Sequence, residues 1–197
     1  KVAIEKSLFL VSFFIFPTAI GLILFSPAFI EFVPKYEKWQ PALIALTFFA
    51  LNTVFSSIST PLTNFLNAIG KVKITLHFMA AWTVLTWVLT LIFLRMYGYN
   101  GVAIASFLVS ITSIGVIAIA RRYVKFSVVS PILKQLIAAL LMGVFIFVVR
   151  GFISSLLVLF GGILIAGFFY LLVLWIIART EMKKTFLFIL KTVRSES

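Results

Sequence analysis

The feature that most constrains this chain is a succession of six apolar runs, each long enough to cross a bilayer. A membrane-spanning helix needs about 20 mostly apolar residues. Residues 7–32, 41–67, 74–94, 101–120, 132–149 and 152–178 each meet that length, with only short connectors between them. Hydrophobic residues make up 63% of the 197 and charged residues 11%. A soluble domain averages about 45–50% and about 25% respectively, so a water-soluble fold of this size could not bury the surplus. The sequence predicts an all-α membrane protein with six transmembrane helices. No long linker divides it, so residues 1–178 are read as one transmembrane lobe.

The first run carries a competing reading as a cleaved signal peptide, because Lys1 and Lys6 precede it and Ser26-Pro27-Ala28 lies within it. A signal peptide's apolar core is about 7–15 residues. This run is longer and is interrupted by Pro17, which favours a span.

Basic residues set the orientation. With the N-terminus inside, the inside connectors and tail hold Lys1, Lys6, Lys71, Lys73, Arg121, Arg122, Lys125, Lys134, Arg179, Lys183, Lys184, Lys191 and Arg194. The outside connectors hold only Lys35, Lys38, Arg95 and Arg150. Cytoplasmic connectors carry the excess of Lys and Arg, so both ends are expected in the cytoplasm. The net charge of +12 is therefore a topology signal, and nucleic acid is not an expected partner. Residues 179–197 are too polar for a seventh span. Met182, Phe186, Ile189 and Val193 recur there at helical spacing beside Lys183, Lys184, Lys191 and Arg194, the pattern of an amphipathic helix lying on the inner leaflet.

The second run is unlike the others. Asn52, Ser56, Ser59, Thr63 and Asn67 fall three or four apart, and Thr53, Ser57, Thr60 and Asn64 follow one residue behind. Together they make a polar stripe along one helix. Polar groups in hydrocarbon are costly unless they find partners or water. The stripe is therefore either helix–helix glue or the lining of a wet cavity, with Asn52, Ser56, Ser59, Thr60, Thr63 and Asn67 as the cavity candidates. Pro17 and Pro61 remove backbone hydrogen bonds inside their spans and are candidate bend or gating points. Lys134 and Arg150, near the two ends of the fifth span, are candidate phosphate contacts as well as snorkelling side chains. Gly101 with Ala105, Ser106 with Ser110, Ala139 with Gly143 and Gly162 with Ala166 have the spacing that lets helices approach closely.

The chain has five acids, all Glu and none in mid-span, one His and no Cys. Nothing here supplies a paired-carboxylate site, a Ser/His/Asp set, a phosphate-binding glycine loop or a metal site. No enzyme activity and no cofactor are expected.

Pro17-Thr-Ala-Ile-Gly21, Ser26-Pro-Ala-Phe-Ile30, Tyr36, the polar helix ending Leu66-Asn-Ala-Ile-Gly-Lys71, and Gly98-Tyr-Asn-Gly-Val-Ala-Ile-Ala-Ser106 together resemble the C-terminal half of the polysaccharide (O-antigen) exporters. These are lipid-linked oligosaccharide flippases of the multidrug/oligosaccharidyl-lipid/polysaccharide (MOP) exporter superfamily. The resemblance runs from Phe9 to Arg122. It implies one lobe of the MATE-like fold, in a bacterial or archaeal cytoplasmic membrane, facing a second six-helix lobe across a central cavity. That second lobe is either an N-terminal half missing from this chain or a second copy of it, and an opening Lys1 fits a fragment. The implied substrate is an undecaprenyl-linked glycan, and the second span lines its path. Family cavities meet the diphosphate with cations, whereas here no Lys or Arg lies deep in the first four spans. The alternatives are a multidrug or small-molecule exporter of the same superfamily and a non-transporting scaffold for envelope polysaccharide assembly.

Overall fold

The computed structural model describes residues 2–33 and 35–195, with side-chain surroundings as far as residue 182. It is all-helical among the described residues: α1 Val2–Phe32, α2 Ala42–Ala68, α3 Val72–Tyr97, α4 Asn100–Thr112, α5 Ile114–Tyr123, α6 Val129–Val149 and α7 Leu156–Ser195. Six segments are long and apolar enough to cross a membrane, with α4 and α5 together forming the fourth. Short connectors between consecutive spans return the chain antiparallel.

The helix ends follow from local chemistry. α2 starts just after Pro41, whose missing N–H costs nothing at a helix start. It stops at Gly70, which sits at φ 75°. There the Lys71 N–H reaches the Leu66 carbonyl at 2.8 Å and the Gly70 N–H reaches Asn67 at 3.0 Å, the paired bonds of a glycine-terminated helix. α3 turns into α4 through Gly98 at φ 59°, ψ −145°, a conformation closed to side chains with a Cβ. α6 begins three residues before the expected 132, because Pro131 is tolerated in a first turn and the Ser127 hydroxyl accepts the Ser130 N–H at 3.1 Å. The sixth span begins at Leu156, not at 152, because residues 150–152 form a separate 3₁₀ turn. Ser155 then caps the new helix by accepting the Val158 N–H.

The fourth span, expected as one helix, is broken at Ser113. The Thr112 hydroxyl donates to the Val109 carbonyl at 2.6 Å, which is the acceptor that the Ser113 N–H would use in a continuous α-helix. The Ser113 N–H turns to Ser110 at 3.1 Å instead. Hydroxyl back-bonding of this kind bends helices. Across the break, the Trp82 indole N–H donates to the Thr112 hydroxyl at 3.1 Å and ties α3 to α4.

The helices pack in the spatial order α3, α4, α2, α1, α6, α7, with α7 also touching α1 and α5 touching α2. The core runs through α1, α2, α6 and α7, where Leu8, Phe16, Leu62, Leu66, Ile146 and Leu174 are buried. α3 buries none of its most apolar window, as expected of a helix that offers most of its surface to lipid. α7 departs from helical geometry at Ala178 (φ −124°, ψ 24°) and continues as helix to Ser195. The break falls where the sequence ends its last span. The side chains that would make the tail amphipathic, from Lys183 onward, lie outside the described residues.

Candidate functional site

The polar stripe of α2 divides in two. Ser57, Ser59 and Thr63 are buried against neighbouring helices, and so is Pro61. Thr53, Thr60, Asn64 and Asn67 are exposed along one face, with Asn52 and Ser56 half-buried at its margin. Apart from that of Ser56, the hydroxyls are bonded within α2. Ser57 bonds the Val54 carbonyl at 2.6 Å, Ser59 and Thr60 both bond the Ser56 carbonyl, and Thr63 bonds the Thr60 carbonyl at 2.9 Å. One edge of the stripe is thus a packing seam that satisfies itself.

The three amides differ, because a carboxamide carries two donors as well as an acceptor. The side-chain amides of Asn52, Asn64 and Asn67 form no hydrogen bond among the described residues. Asn67 lies at the helix end. Asn52 lies within one turn of the middle of α2, where an unsatisfied amide is costly in lipid. The open face therefore presents polar groups that require water, a ligand or another protein surface.

Two hollows open elsewhere in the bundle, and neither is lined by α2. The larger, about 690 Å³, runs between α1 and α7 past Phe13, Pro17, Gly21, Phe29, Gly167 and Tyr170. The smaller, about 300 Å³, lies between the end of α6 and the start of α7, with Arg150 among its lining residues. Both walls are almost wholly apolar, and the Phe25 ring borders both hollows.

Pro17 lies on the first hollow. Lacking an N–H, it leaves the Phe13 carbonyl without its intrahelical donor. The buried Tyr170 hydroxyl, from α7, donates to that oxygen at 2.9 Å. Tyr170 also packs its ring edge-on to Phe13. The carbonyl that Pro17 leaves free in α1 is thus served by a different helix. Sequence reading passed over Tyr170. Its one signal is a phenol in the middle of an apolar span, where a hydroxyl must find an acceptor.

The two candidate phosphate contacts do not converge. Lys134 near the start of α6 and Arg150 just past its end are 16 residues apart, about 24 Å along the axis, and α6 is not among the helices packed on α2. Lys134 pairs with Glu181 at 2.5 Å and so joins α6 to α7 just beyond the Ala178 break. Arg150 lays its guanidinium over the Phe147 ring at 4.1 Å and has no carboxylate partner among the described residues. Glu5 accepts the Ser127 N–H at 3.0 Å, holding the start of α1 to the connector before α6. Gln135 is fully buried, and neither amide atom has a partner among the described residues.

Fold and surface chemistry define a multi-pass helical membrane protein with one polar, open helix face and two apolar hollows. Comparison with protein-family models, with curated proteins and with solved structures finds no match.

Proposed function

We propose that this chain is one lobe of a transporter that moves a lipid-linked oligosaccharide from the inner to the outer leaflet by alternating access. The single observation that carries this reading is the open face of α2. Asn52 lies near mid-depth with its amide unpaired, and Thr53, Thr60 and Asn64 are exposed beside it. A sugar headgroup crosses hydrocarbon only along a wet path, and uncharged amides and hydroxyls hydrogen-bond sugar hydroxyls without holding them as tightly as charges do. A second six-helix lobe, facing α2, completes the cavity. The N-in, C-in orientation, given by the bias of Lys and Arg, puts the α2–α3 turn at the cytoplasmic mouth. Rocking about the Pro17 bend opens the cavity to either side in turn.

The test replaces Asn52 and Ser56 together with Leu in the cell that carries the protein. Surface glycan is expected to be lost while the protein still inserts. A cysteine at position 60 is expected to react with a membrane-impermeant thiol reagent in inverted vesicles. Normal glycan together with an unreactive cysteine would refute the reading.

A further inference from the structure

The hollow between α6 and α7 combines three properties. Its walls, from Phe145, Ile146, Val149 and Val158, are apolar. Its glycine at 161 faces empty space, since a Cβ there would meet nothing within 4 Å. At its rim stands Arg150, held only by the Phe147 ring and without a carboxylate partner among the described residues. A void in the hydrocarbon region does not stay empty when mobile chains surround it, because its lining would forfeit dispersion contacts. With almost no polar wall, water gains too few partners to occupy it. The occupant is a hydrocarbon chain. A chain lying beside α6 carries its headgroup to the helix end, where the planar guanidinium offers a paired-donor match to a phosphate.

We infer that this hollow is a binding site for an anionic glycerophospholipid, with one acyl chain between α6 and α7 and its phosphate on Arg150. The site depends only on the span structure and is independent of the proposed transport. The α1–α7 hollow has the same apolar character but no cation at its rim, so it does not select by charge.

The test uses the full chain in detergent, loaded with defined lipids and read by native mass spectrometry. Phosphatidylglycerol is expected to be retained about tenfold over phosphatidylcholine, whose choline cation offsets the attraction of its phosphate to Arg150. Arg150→Gln should reduce that ratio to near one. Gly161→Leu should displace both lipids by filling the hollow, whereas Gly167→Leu, which fills the other one, should leave the ratio unchanged. The R150Q result decides the matter even if the filled variants fail to fold. An unchanged ratio in R150Q, or undiminished retention in a folded Gly161→Leu protein, overturns the assignment. So does undecaprenyl phosphate displacing phosphatidylglycerol at equal concentration, which would give the site to an isoprenoid phosphate.

Discussion

α1 meets α6 on one side and α7 on the other, and the two contacts differ in kind. Against α6 the packing is close: a Cβ at Gly143 would lie 3.0 Å from Ile20 Cγ2 and 3.6 Å from Leu24. Against α7 the helices part. Gly21 on α1 and Gly167 on α7 both line the larger hollow, and a Cβ at either would touch nothing within 4 Å. Gly162, between the two hollows, meets only the Phe25 ring, at 3.6 Å. The same residue type therefore draws helices together on one side and leaves room on the other. Glycine content alone says nothing about how tightly a membrane helix packs. What decides is the residue opposite: branched Ile20 and Leu24 fill the notch at Gly143, while one flat ring at Phe25 leaves space on both sides of itself.

Four substitutions sharpen that contrast. The largest effect belongs to the α3–α4 turn, the extreme of the close-packed kind, where a Cβ on Gly101 would overlap the Phe93 carbonyl. Gly101→Ala should destabilise the bundle by more than about 3 kcal/mol, seen as aggregation or a collapsed melting transition in detergent. Next, Gly143→Ala must push Ile20 aside and should cost about 1–3 kcal/mol, measured by thermal unfolding followed by circular dichroism. The smallest effect has the opposite sign: Gly161→Ala and Gly167→Ala should each raise stability by up to about 1 kcal/mol, since alanine favours helix and space is free. A loss at Gly167 equal to that at Gly143 would erase the distinction between the two sides of α1.

The spans were legible because continuous hydrophobicity over helix length is a coarse signal that survives any packing arrangement. The pair Ala139–Gly143 was also legible as a close approach, and both are buried, whereas Gly162 and Ala166, read the same way, border the hollows. The break at Ser113 was not legible. It depends on the Thr112 hydroxyl choosing the Val109 carbonyl, a rotamer choice that hydropathy does not record. The stripe on α2 could be read as polar but not as divided, because the division depends on which neighbours α1 and α4 present to each flank. The two hollows left no trace in the sequence, being spaces between helices that are far apart along the chain. Nor could spacing show that Lys134 is claimed by Glu181, a residue 47 positions away that meets it only after α7 bends.

The bond from Tyr170 to the Phe13 carbonyl has a consequence for inheritance. Proline at position 17 creates a vacancy at Phe13 that a phenol 157 residues beyond Phe13 fills, so neither change is neutral while the other stands. A descendant that replaced the proline would regain the amide for Phe13 and free position 170 to drift to phenylalanine. One that kept the proline should keep the hydroxyl. In a collection of related chains the two columns should therefore change together, and proline lineages rich in phenylalanine at 170 would show that the carbonyl is served in some other way.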